Sequence, residues 1–267
     1  MVMGTASFSL LTSFVCFTTA ALGYRFHLQP VANKRLIFLS TSFMALLLQA
    51  WALHRWIDTP SGQNLSLSHL LSLTCWLASL IILFTALFKP LESLLIFTLP
   101  VSALSLLVST WFPGHTIFQT AQHPSGLVHI LLSLVTFGLI SVAALQAFLL
   151  YCQNKALKHS ANPLFIRLLP PLETMESFLF QIIAFGFVFL SASLLSAFVF
   201  LTELQLHQYL QKTILSLLAW GLFGGLLYTH YQSGFRGTRA CQWTLVGIAL
   251  LIAAYLLQRF LPSPLWN

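Results

Sequence analysis

The sequence predicts an all-α fold: a polytopic integral membrane bundle of about eight transmembrane helices with both termini on the outer, periplasmic side. Hydrophobic residues make up 58% of the 267 and charged residues only 6%, whereas a surface facing water carries about a quarter charged residues. The apolar residues fall in runs of roughly 20, the length a helix needs to cross a hydrocarbon core of about 30 Å. The basic residues lie in the connectors between these runs or at the runs' ends, singly or in twos.

Taken in order, the first run covers residues 6 to 23. Nothing basic precedes it and the first positive charge, Arg25, follows it, so it reads as a retained helix and not as a secretory leader. The second covers 36 to 57, after Lys34 and Arg35, and the third 69 to 88, after the polar turn SGQNLSL. The fourth, 91 to 112, contains Pro100, which removes a backbone donor and is expected to kink it. The fifth, 126 to 150, follows Pro124. The sixth, 177 to 200, follows Pro170 and Pro171, with Glu173 and Glu176 at its start as expected helix-capping charges. The seventh, 213 to 232, carries Gly221, Gly224 and Gly225, a small-residue face suited to close helix packing. The eighth covers 241 to 260, and residues 1–267 read as one transmembrane domain.

Orientation follows from the charges. With Arg25 inside, the inner connectors hold Arg25, Lys34, Arg35, Lys89, Lys155, Lys158, Arg167, Arg236 and Arg239, and the outer side holds Arg55, Lys212 and Arg259. Nine against three is a positive-inside bias. The longest inner connector, 152 to 176, is too short for an extramembrane domain, so function must reside in the bundle, its loops or a partner.

The formal charge of +7 does not point to nucleic acid, because no basic stripe interleaved with aromatics occurs. Cys16, Cys75, Cys152 and Cys241 stand far apart, without a C-x-x-C or C-x-x-C-H, and read as small apolar helix residues. No G-x-S-x-G, H-E-x-x-H, P-loop or G-x-G-x-x-G is present, so no enzyme activity is expected. Intramembrane charges of the kind that mark coupled-transport paths are scarce.

Histidine stands out. The chain has nine, more than its five acids, and six of them (His54, His69, His115, His123, His129 and His207) map near the outer face. Imidazole is a common metal ligand and haem axial ligand. His129, in HPSGLVHILLS, lies at the start of the fifth helix with Ser133 one turn on, and His230, in LLYTHYQSGFRGTRA, lies near the inner end of the seventh. These two are the candidate cofactor-binding residues. By topology they are about a membrane thickness apart, so one iron cannot be held by both.

The windows HPSGLVHILLS, LPPLETMESFLFQ, KTILSLLAW and THYQSGFRGTRA, with SGQNLSL, resemble the cytochrome c assembly superfamily of CcsA- and ResC-like membrane proteins. Within it the chain is most similar to the short bacterial branch of YpjD- and HemX-like inner-membrane proteins. The resemblance spans residues 61–260 and is strongest from His123 to Trp243. It implies a multi-pass protein of the bacterial inner membrane that binds or handles haem during cytochrome complex assembly, with His129 matching the family's outer-face histidine and His230 a histidine of a later helix. The sequence departs from the family in the segment from Thr202 to Lys212, TELQLHQYLQK, which reads as a short outer loop without the family's tryptophan-rich WWD motif. His207 is the residue there that could partner His129. That departure motivates the alternative, an accessory or regulatory membrane subunit, for example of a transporter, that kept the fold without haem chemistry. Expected partners are the lipid bilayer, haem and another membrane protein.

Overall fold

The computed structural model describes residues 2–28, 33–60, 62–118, 124–158, 163–200 and 203–260. They form helices α1 (Val2–Leu28), α2 (Lys34–Ile57), α3 (Leu67–Phe88), α4 (Leu95–Trp111), α5 (Pro124–Lys158), α6 (Pro163–Leu168), α7 (Leu172–Phe200), α8 (Glu203–Ser233) and α9 (Thr238–Phe260), with strands β1 (Asp58–Thr59), β2 (Gly62–Asn64) and β3 (Ile117–Phe118). Eight of the helices are long and apolar enough to cross a membrane, all but α6. They coincide with the eight runs read from the sequence, because hydropathy over 20 residues is a long signal that local detail does not blur.

The chain divides into two compact units, residues 1–124 with 163–170, and residues 125–162 with 171–267. In the first, α1 packs against α2 and α4, and α3 packs against the same two helices, giving an up-and-down four-helix bundle. Its interior is polar at the helix crossings. The Gln49 amide donates to Ser102 O at 3.2 Å, the Ser102 hydroxyl donates to Gln49 Oε1 at 2.9 Å, and Ser13 Oγ donates to Ala103 O at 3.3 Å. Such interhelical hydrogen bonds between small residues hold helices together in lipid, where burying apolar surface gives no advantage over the lipid tails. Cys16 is buried here with Ala45 and Ala103, as a small packing residue, and all four cysteines are unbridged.

At one end of this unit the turn read as SGQNLSL builds a small antiparallel sheet in the order β1-β2-β3, with Asp58 opposite Gln63 and Asn64 opposite Ile117. Asn64 explains its own place in the motif: its amide donates to Gly114 O at 2.8 Å and its Oδ1 accepts the Thr116 N–H at 3.1 Å. At the other end the Arg35 guanidinium donates to Ala86 O at 2.7 Å, satisfying a terminal carbonyl of α3.

In the second unit α8 packs against α7 and α9. The α5–α7 contact runs through Gly186, whose missing side chain leaves room for Ile140 and Leu139, and through Gln146, whose amide donates to Met175 O at 2.9 Å. Phe137 of α5 meets Tyr255 of α9 edge-on at 5.9 Å. Three expectations are revised here. Thr202 to Lys212 is not a loop from Glu203 onward but the first turns of α8, as suits a Leu- and Gln-rich stretch without Gly or Pro. Residues 152–176, read as one connector, are mostly helical in α5, α6 and α7. Of the α8 glycines, Gly224 packs on Phe187, while a side-chain carbon at Gly221 or Gly225 would meet nothing within 4 Å.

Candidate functional site

Near the N-terminal end of α5, His129 and Ser133 are one turn apart and share a face. Ser193 and Ser196, three apart near the C-terminal end of α7, are buried opposite them. The four side chains close on one another. His129 Nδ1 lies 2.9 Å from Ser196 Oγ, and Ser133 Oγ lies 2.8 Å from Ser193 Oγ and 3.4 Å from His129 Nε2. The Ser196 hydroxyl donates to Ser193 O at 2.7 Å. His129 is therefore a half-buried imidazole in a cradle of three hydroxyls.

The second expected residue, His230, sits in the last turn of α8, whose end is closed by Gly234 at φ 63° with its N–H on His230 O at 3.0 Å. Its ring stacks on Phe180 of α7 with centroids 3.4 Å apart, and its Nδ1 donates to Phe235 O at 2.9 Å. Glu176, one turn before Phe180, accepts the Gly237 N–H at 2.6 Å. Glu176 thus caps a helix as expected, but the helix is α9 and not its own. Trp220, on the same helix as His230, donates its indole N–H to Ser191 Oγ at 2.8 Å and stacks on Phe187.

Helix α7 serves as a ruler between the two histidines. His129 bonds to Ser196 and His230 stacks on Phe180, sixteen positions apart, which at 1.5 Å per residue is about 24 Å. One iron cannot be ligated by both, as the topology implied.

Of the other histidines expected near the outer face, His54, His69 and His115 belong to the first unit. His54 Nδ1 is paired with Asp58 at 2.5 Å and lies beside Trp51. His69 is fully buried against Trp56, with no hydrogen-bond partner at either ring nitrogen, and His115 is exposed in the loop before β3. His123 lies outside the described residues, as does the side chain of His207. Among the described residues no group of three or more His, Cys, Asp or Glu is close enough to hold a metal ion. The donor chemistry at His129 fits a group that needs a single protein nitrogen, as haem iron would. Sequence reading found His129, His230 and Ser133. It missed Ser193 and Ser196, which approach His129 only through the α5–α7 contact, although the repeated serines of SASLLS on one apolar helix were a visible signal.

Comparison with known proteins agrees with the family resemblance. The family model described as cytochrome C assembly protein matches residues 36–265. The inner membrane protein YpjD of Escherichia coli strain K12 is 30% identical over 230 residues, covering 85% of this chain and 87% of that protein. An uncharacterized 28.8 kDa protein of Azospirillum brasilense is 30% identical over 130 residues, 48% of each chain. No solved structure matches. The chain belongs to the cytochrome c assembly protein family.

Proposed function

We propose that this member of the cytochrome c assembly protein family is a haem-handling protein of the inner membrane, not itself an enzyme, with both termini on the outer side and His129 as its outer-face axial ligand. The observation that supports this most directly is the His129 imidazole, held through Nδ1 at 2.9 Å by a buried serine, with Nε2 turned to a hydroxyl at 3.4 Å. Haem, if bound there, would be held by His129 and would supply an iron that an imidazole nitrogen can ligate. The chain's own contribution is to fix that imidazole between α5 and α7 and to orient it by hydrogen bonds. The inner-membrane assignment draws on the relatives' name, and the orientation on the nine-to-three charge bias.

His230 is a second contact, near the inner end. Its ring is stacked on Phe180 and bonded to Phe235 O, in the turn that Glu176 braces. We assign it to entry or retention of the group and not to the iron that His129 ligates. Titration of haem into the purified protein tests the function: a saturable Soret band that weakens in His129→Ala supports it, and a colourless protein in excess haem contradicts it.

The open face of α8 favours a second reading, an accessory membrane subunit. Gly221 and Gly225 meet nothing within 4 Å, and Trp220, Tyr228 and Tyr231 are exposed beside them. A membrane partner that co-purifies equally with the parent protein and with His129→Ala would favour this reading over the first.

A further inference from the structure

A serine hydroxyl has one proton to give. With that of Ser196 given to Ser193 O, 2.7 Å away, Ser196 Oγ is left to accept from His129, whose Nδ1 lies 2.9 Å away. On that assignment His129 Nδ1 is the protonated nitrogen and Nε2 carries the lone pair. On that side stands Ser133, 3.4 Å from Nε2 but 2.8 Å from Ser193 Oγ. Ser133 is thus bound more closely to Ser193 than to the imidazole. A hydroxyl in this position can leave Nε2 and keep a full hydrogen bond.

We propose that Ser196 and Ser193 are positioning residues that lock His129 in its Nδ1–H tautomer, and that Ser133 occupies Nε2 until haem iron displaces it. This rests on the haem reading of His129 and adds how the ligand is prepared. Ser193 has two parts. Its carbonyl takes the Ser196 proton, which sets the direction of the Nδ1 bond. Its hydroxyl already holds Ser133 at 2.8 Å, so that side chain keeps a partner when it leaves the ring. Were haem held there, His129 would lose one long hydrogen bond while Ser133 kept its bond to Ser193, so no buried hydroxyl would be left without a partner, the condition for an inexpensive switch. An imidazole whose other nitrogen donates a hydrogen bond is also a more basic ligand, and loss of such partners commonly weakens binding about 10- to 100-fold.

The test uses the full chain labelled with 15N-histidine, in mild detergent or bilayers, first without haem. The His129 signals are identified by their absence in His129→Ala. The expected result is a protonated Nδ1 and an unprotonated Nε2, with the two tautomers mixed in Ser196→Ala and the single tautomer restored in Ser196→Thr, which keeps the hydroxyl. A protonated Nε2 in the parent protein, or a tautomer indifferent to Ser196→Ala, overturns the proposal whatever haem does. In haem titrations Ser196→Ala is expected to bind about tenfold more weakly, Ser196→Thr close to the parent, and Ser133→Ala at least as tightly as the parent. Weaker binding in Ser133→Ala contradicts the displacement step. A parent protein with the expected tautomer that takes up no haem overturns the haem reading and with it the displacement step, while the lock by Ser196 stands.

Discussion

Glu176 of α7 accepts the backbone N–H of Gly237 at 2.6 Å and so closes the N-terminal end of α9 from a different helix. The first amides of a helix have no partner of their own, and a carboxylate there satisfies one of them and suits the positive end of the helix dipole. Gly237 is at φ 76°, a conformation that costs a residue with a Cβ about 1 kcal/mol. Glu176→Ala and Gly237→Ala are each expected to destabilise the protein by about 1–2 kcal/mol. Unfolding in mixed detergent and dodecyl sulfate, followed by circular dichroism, measures both. An unchanged midpoint in Glu176→Ala would mean that the cap carries no stability.

The α8 glycines separate by environment. A Cβ at Gly224 would lie 3.2 Å from the Phe187 ring, which is itself stacked on Trp220 and has little room to yield, whereas Gly221 meets nothing within 4 Å. Gly224→Leu is expected to lower stability by about 1–3 kcal/mol, and Gly221→Leu to leave the isolated protein unaffected. If Gly221→Leu alone disrupts assembly in membranes, the open face is where another chain docks.

His69 is fully buried, and neither ring nitrogen is hydrogen-bonded. An orphaned buried polar group costs about 1–3 kcal/mol, and an apolar replacement of similar shape removes that cost. His69→Leu is therefore expected to hold or raise the unfolding midpoint. A clear loss of stability would show instead that a bound molecule satisfies the ring.

Orientation has a direct readout in a background without the four native cysteines. A cysteine at His115, exposed in the loop before β3, is expected to react from the outer side with a maleimide that cannot cross membranes. One at Ser233, exposed at the end of α8, is expected to react only after the membrane is opened. The reverse pattern would invert the topology derived from the basic residues.

How much of this was legible in the sequence depends on the range of the signal. The eight spans were, because each is some 20 residues of one composition. Ser133 was, because i and i+4 positions meet on any helix. The sheet of β1, β2 and β3 was not: its strands are two or three residues long, and the β2–β3 pairing joins Asn64 to Ile117 across the whole of α3 and α4. The early start of α8 was missed because its first turns are polar, and polarity between two apolar runs reads as a loop. Glu176 was read as capping the helix it begins, the local solution, when folding brings it to α9. Ser193 and Ser196 belong to the same class. Each is an ordinary helix serine until the α5–α7 contact sets it beside His129.

The central claim is that His129 offers its Nε2 to haem iron. Its most direct measurement is the absorption spectrum of the purified full chain after haem addition, taken for the parent protein, His129→Ala and His230→Ala. The account predicts a Soret band in the parent, its shift or loss in His129→Ala, and an unchanged band position in His230→Ala even if less haem is retained, since about 24 Å of α7 separates the two rings. A parent spectrum without a Soret band, or one that is identical in His129→Ala, would contradict it.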